Sequence, residues 1–347
     1  APPAPSAAAA SVSPRACAPD QRDTSLDHNG WPLDGQPFFV MTVGIPFRFR
    51  RLARALDDDR DALSAIANDV DAGIEADRVL PLLDARATAA GVDGPRVAEW
   101  RMAARHTVAR HLLLDAALAA IGAVLDDARI PWLPIKGMGL PHGAYSPDEY
   151  RPTSDIDVLI PEEAFAVAVE SLASAGWRGA HAGRHRAAWL EDEGYNWQAT
   201  SEEHRAFLEL HHRLWGPVDP RLHPALVNRA APDPARGRHA RRLGPADAYI
   251  VGACHVWNTA PPRPFLYLLD LERFARATTD EPAAFARQVC TTASEFDLQL
   301  FVARAARCAA GLWQGPHRII ADELHGELST VERAVARRGS FDLPLGR

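Results

Sequence analysis

At 347 residues, with 47% apolar and 24% charged residues, the chain is long enough for two domains and a substantial core. Its formal charge of −7 excludes a general, non-specific nucleic-acid binder, which would be basic, while leaving room for one local basic groove. Four scattered cysteines (Cys17, Cys254, Cys290, Cys308) make no C-x-x-C pair, which argues against a zinc ribbon or a disulfide framework and for a reducing, cytoplasmic setting.

No uninterrupted apolar run reaches the ~18 residues of a bilayer span, so no membrane segment is expected. The opening APPAPSAAAASVSPRACAPDQ lacks the basic and long apolar segments of a secretory leader. Residues 1–36 read as a disordered or loosely attached tail, rich in Pro, Ala and Ser. The stretch PFFVMTVGIPFR (37–48) fits either a strand or a segment packed on the helix that follows. Residues 37–128 form an N-terminal helical region. Its clearest helix is VAEWRMAARHTVARHLLLDAALAAIGAVLDDA, with Trp100, Ala104, Val108, Leu112, Ala116, Ala120 and Val124 as the expected core stripe. His106 and His111 lie in it as partly exposed or capping residues.

The periodicity then changes. Residues 130–135 (IPWLPI) read as a strand ended by Gly137 and Gly139, and YSPDEYRPTS reads as a loop. Asp155 to Ile160 form the next strand. A helix follows from Pro161, with Phe165, Val169 and Leu172 buried and Gly176 just past its end. Trp177 to Ser201 suggests a hairpin, with His181 and His185 four residues apart as a weak metal motif. In Arg205–Leu214 alternation places Phe207, Glu209 and His211 on one face and Leu208 and Leu210 on the other, closing a central region at 129–216. The remainder, 217–347, reads as a C-terminal helical domain. It begins with an Arg-rich connection, Pro220 to Leu243, carrying the basic run RGRHARR (Arg236–Arg242), a solvated surface or a phosphate or RNA contact. Helices are expected at 245–258, 265–278, 282–292, 295–312 and 319–338.

The chemistry is concentrated between Ile130 and Ile160. Of 38 Lys and Arg residues 37 are Arg, and Lys136 is the single lysine, a compact charge beside a glycine. Asp155 and Asp157, at i and i+2 of a strand, point to one side and would repel unless a cation relieved them. Oxygen ligands suit Mg²⁺, and a third carboxylate on a neighbouring strand, best supplied by Glu209, completes a two-metal clamp for displacement at phosphorus. Gly137 and Gly139 would let backbone N–H groups approach phosphates, with Lys136 or Arg151 neutralising charge.

Lys136-Gly137, the Tyr-containing loop, Arg151, Ser154-Asp155-Ile156-Asp157-Val158-Leu159-Ile160 and Leu208-Glu209-Leu210-His211 resemble the uncharacterised nucleotidyltransferase family of the DNA polymerase β superfamily. The resemblance covers roughly residues 95 to 280, including His255 and Leu269-Asp270-Leu271. It implies an α+β fold: a small mixed sheet of nucleotidyltransferase type flanked by N-terminal and C-terminal helical regions, with 129–216 as catalytic core. It implies a metal pair at Asp155 and Asp157, Glu209 as third acid, and a nucleotide held by Lys136, Gly137, Gly139, Arg151 and Ser154. His211 would orient the acceptor or help remove its proton. The implied cofactors are two Mg²⁺ ions, or Mn²⁺, with an NTP as co-substrate. The expected reaction moves an NMP group to a hydroxyl of a small molecule or peptide and releases pyrophosphate. A tRNA- or protein-modifying enzyme using Arg236–Arg242, and a silent nucleotide-binding scaffold, are the alternatives.

Overall fold

Alternation of apolar residues along the central strands decides the architecture, because each face of the sheet meets a different helical layer. The computed structural model describes residues 46–69, 73–74, 78–141, 143–179, 196–214, 219–258, 265–278, 281–330 and 332, all within one compact unit, 41–347. The tail at 1–36, most of the 37–48 stretch and the pair His181 and His185 lie outside the described residues.

Four helices come first: α1 (Phe47–Leu56), α2 (Arg60–Ala67), α3 (Leu80–Ala90) and α4 (Val97–Asp127). Asp59 caps α2 by accepting from the Ala62 N–H at 2.8 Å. Next come β1 (Leu133–Ile135), a 3₁₀ turn (Lys136–Gly139), β2 (Ile156–Leu159), α5 (Phe165–Ser174), β3 (Arg178–Gly179), β4 (Asn196–Ser201) and β5 (Ala206–His211). The chain continues through α6 (Leu222–Arg229), β6 (Ala231–Pro232), β7 (Arg241–Arg242), α7 (Pro245–Asn258), α8 (Phe265–Arg276), α9 (Pro282–Glu295), α10 (Gln299–Ala310) and α11 (Pro316–Glu327). The expected α+β class is what the chain adopts, with helices on both sides of a small mixed sheet.

The sheet runs β1-β2-β5-β4-β3. Only β2 and β5 are parallel; the other pairs are antiparallel. Ile156, Val158, Leu208 and Leu210 face a core shared with Leu114, Leu118, Ile121 and Leu125 of α4 and Phe165 and Leu172 of α5. Leu133, Ile135 and Leu159, on the other face, join a core made with α1–α3 and the C-terminal helices. Phe49 of α1 meets Phe265 of α8 edge-on, with ring centroids 5.2 Å apart, so the first and last helical regions share that core.

Two expectations are corrected. The stripe drawn on α4 is not its buried face beyond Trp100: Leu112 is 67% exposed, while Leu114, Ala117, Leu118, Ile121 and Leu125 are buried. A strict step of four overshoots the 3.6-residue turn by about 40°, so the stripe winds about 240° around the helix from Trp100 to Val124. The Arg-rich connection at 220–243 contains helix α6 and the β6–β7 pair, which the sequence reading did not place. By length and composition alone α4 is long and apolar enough to cross a membrane, a test that core helices also pass; 33% of its most apolar stretch is buried inside the fold.

Gly122, midway along α4, lets the helix sit directly on Trp132: a Cβ there would come 2.5 Å from the ring of that tryptophan, which is 1% exposed. Gly→Ala inside an exposed helix stabilises by about 1 kcal/mol. At Gly122 the sign should reverse, with Gly122→Ala costing about 1–3 kcal/mol through overpacking. Chemical denaturation of both proteins checks this, and a more stable variant would show that the ring has room.

Candidate active site

Pairing register assembles the candidate site. On the parallel neighbours β2 and β5, Asp157 and Glu209 are direct partners, and Leu159 is the partner of His211. Asp155 precedes β2 by one residue and is half-buried, whereas Asp157 is 3% exposed. Ligand atoms of Asp157, Glu209 and His211 all lie within 4.8 Å of one another, a set that does not include Asp155.

The Lys136 ammonium lies inside this cluster. Its Nζ donates to Asp157 Oδ1 at 2.6 Å and stands 3.8 Å from Glu209 Oε2. His211, fully buried, donates from Nε2 to the same Asp157 oxygen at 2.9 Å and is 3.4 Å from Glu209 Oε2. On the far side of Glu209, Gln198 Nε2 donates to Oε1 at 3.3 Å. Burial alone would push the Asp157 carboxyl up, but Lys136 and His211 hold it well below the usual carboxylate range. Asp155 moves the other way, raised by burial and by the negative charge of Asp157. Burial pulls the Lys136 ammonium down, yet Asp157, then Glu209 and Asp155, more than compensate and raise it.

Lys136 also bends the backbone into the left-handed region, φ +52°, which costs a residue bearing a side chain about 1–3 kcal/mol. The two glycines after it make room for protein. A Cβ on Gly137 would lie 2.1 Å from Thr153 Oγ1, and one on Gly139 would lie 2.1 Å from the Pro134 carbonyl oxygen. The turn is thereby seated against both β1 and the segment leading into β2.

Arg151, expected at the phosphates, is committed elsewhere. Its side chain is buried and bidentate to Asp270 of α8, Nε to Oδ1 at 2.8 Å and Nη2 to Oδ2 at 2.6 Å. Tyr145 donates to the same Oδ1 at 2.6 Å, and Arg273 donates to Glu149 at 2.8 Å beside it. Ser154, exposed, has its hydroxyl 3.4 Å from Asp155 Oδ1, and its carbonyl accepts from Arg110 of α4 at 2.5 Å. The neighbouring His111 donates to the Arg151 carbonyl at 2.7 Å. The approach to the aspartates is thus tied from both helical layers.

His255, on α7, feels the charges of the site: burial, then the Lys136 charge, push its imidazole down to about 3. Its ring packs 4.6 Å from Tyr267. In the basic run, Arg236 and Arg242 each stand 3.5 Å from the buried Asp233, and the Arg238 and His239 amides donate to Asp126. Sequence reasoning missed Gln198, Arg110 and Arg78, the last a half-buried arginine whose charge lowers Asp155. Only Gln198 carried a signal, since strand alternation puts it opposite Glu209 once the hairpin register is known.

Residues 67–314, more than two thirds of the chain, match the family described as uncharacterised nucleotidyltransferase. Comparison with curated proteins gives no match. Among solved structures, the solution structure of the antibiotic-resistance factor ANT(2'')-Ia is similar over 52% of this chain and 92% of that chain, with 13% identity and a TM-score of 0.37.

If Arg151 and Asp270 form a structural tie, Asp270→Ala strands a buried guanidinium and should cost about 3–5 kcal/mol. An apolar pair such as Arg151→Met with Asp270→Leu should recover part of that loss. Urea unfolding of the single and double variants measures both, and an unchanged midpoint in Asp270→Ala would show that Arg151 is satisfied some other way.

Proposed function

The chain belongs to the uncharacterised nucleotidyltransferase family and is a transferase with an NTP as substrate; from that premise we propose that it moves an NMP group to a hydroxyl of a small-molecule or peptide acceptor, with a divalent ion and release of pyrophosphate. One observation carries the reading: Asp157 and Glu209 are register partners on parallel strands, with Asp155 two residues before Asp157.

The residues fit a hard cation. The donors are carboxylate oxygens with one imidazole, gathered within 4.8 Å of one another at Asp157, Glu209 and His211. Asp155, Asp157 and Glu209 would hold Mg²⁺ or Mn²⁺, which supplies positive charge to the phosphates and acidity to the attacking hydroxyl. The acceptor hydroxyl gives its proton to solvent as its oxygen attacks the α-phosphorus; the bond from that phosphorus to the α,β-bridging oxygen breaks, and pyrophosphate leaves with its electron pair.

The chain's own residues supply position. His211 is fully buried on Asp157, so its proposed work is to orient that carboxylate, and Gln198 does the same for Glu209. Neither touches the acceptor. Arg151 supports the loop through Asp270, and Arg78, whose charge acts on Asp155, is proposed to neutralise phosphate in its place. The Lys136–Gly139 turn and exposed Ser154 flank the carboxylates and form the proposed triphosphate cradle. The acceptor is proposed to enter between the sheet and the C-terminal helices, beside His255.

Incubation of the protein with each α-³²P-labelled NTP, Mg²⁺ and cell extract tests the proposal. Label should pass to a low-mass fraction resistant to RNase and protease, with pyrophosphate released. Asp155→Ala should reduce transfer by about 100-fold or more, the scale of losing one preorganised electrostatic group. Label recovered in RNA or protein would overturn the acceptor class. Absence of Mg²⁺-dependent transfer from all four NTPs would overturn the reaction.

A further inference from the structure

A two-ion clamp at phosphorus needs two cations among its carboxylates, and in this chain an amine already stands beside Asp157 and Glu209. Lys136 Nζ is 2.6 Å from Asp157 Oδ1 and 3.8 Å from Glu209 Oε2, with His211 Nε2 closing the same oxygens from below at 2.9 and 3.4 Å. We infer that Lys136 is a built-in replacement for one of the two metal ions, so that the site takes a single exchangeable divalent ion, on the Asp155 side. This rests on the nucleotidyl-transfer reading above.

Three further observations support it. The lysine is placed rather than loose: its side chain is 16% exposed, its backbone is held at φ +52°, and the turn behind it is seated on Thr153 and Pro134 through Gly137 and Gly139. A left-handed conformation at a residue bearing a long side chain persists only where the surroundings over-determine it. The charge also closes. Asp155, Asp157 and Glu209 carry three formal negative charges, Lys136 returns one, and the remaining two match one divalent ion. Asp155 is half-buried and lies outside the cluster of Asp157, Glu209 and His211 in which Lys136 stands, which leaves its carboxylate for the divalent ion. Finally, in a chain with 37 arginines this is the single lysine, and its ammonium is a compact point charge, as a metal ion is, where a guanidinium spreads its charge over a planar fork.

The full chain, loaded with Mn²⁺ and each of the four α,β-methylene NTP analogues, gives the test. Wild type should bind one Mn²⁺ per chain with the electron paramagnetic resonance spectrum of an isolated ion. Lys136→Met, similar in length but uncharged, should bind two ions with a spin-coupled spectrum. Two coupled ions in the wild type, or one ion in both proteins, would overturn the inference while leaving nucleotidyl transfer standing. No Mn²⁺ bound with any analogue would overturn the transfer reading and this one with it. A second measurement needs no variant: in protein made with ¹³C-lysine, Lys136 gives the single lysine resonance. It should keep its position when Mg²⁺ and the analogue are added, and movement to the value of a free, solvated lysine would show displacement by metal and refute the assignment.

Discussion

The burial of the Asp157 carboxylate is the constraint around which the central region is built. A lone ionised carboxylate in a protein interior is several kcal/mol worse off than in water unless charge and hydrogen bonds surround it. Asp157 stands between an apolar partner strand and the third acid, and one of its oxygens accepts from both Lys136 and His211. Lys136 can reach it only because the chain turns left-handed immediately after β1. That turn in turn requires glycine at positions 137 and 139, where any side chain would strike Thr153 or the Pro134 carbonyl. A sequence detail that looks made for ligand access is explained first by how a lysine is delivered to a buried acid.

A second charged network fixes where the helical layers sit relative to this acid. Arg151, Asp270 and Tyr145 join the loop before β2 to α8, and Glu149 with Arg273 repeats the arrangement beside them. Arg110 and His111 hold the same loop from α4 through backbone carbonyls. Fully paired networks of this kind add less to net stability than their number suggests, because each charge loses its hydration. Their value lies in register: an alternative placement of α8 would strand several buried charges together.

The elements that carry the candidate residues were legible because their signals are local. Asp-x-Asp in an apolar run, an alternating strand with Glu209 and His211 on one face, and helices bounded by Pro and Gly depend on near neighbours, and α7 begins and ends where the pattern puts it. The pairing of Arg151 with Asp270 was not legible, for the opposite reason. Its partner is 119 residues away, and nothing near it in the chain separates an arginine facing phosphate from one facing a buried aspartate. The face of α4 was misjudged because Ala and Leu surround the helix, so a stripe can be drawn in several directions until the sheet selects one.

By itself the sequence determined most of the elements, though not α6 or the β6–β7 pair, and the acidic residues and their shared faces, since periodicity and side-chain chemistry are properties of short stretches. Tertiary structure decided what each charge is for. Electrostatic roles depend on distance through space, and only the folded chain puts Lys136 between two carboxylates, sets Arg151 against Asp270 and brings His255 of a distant helix under the charges of the site.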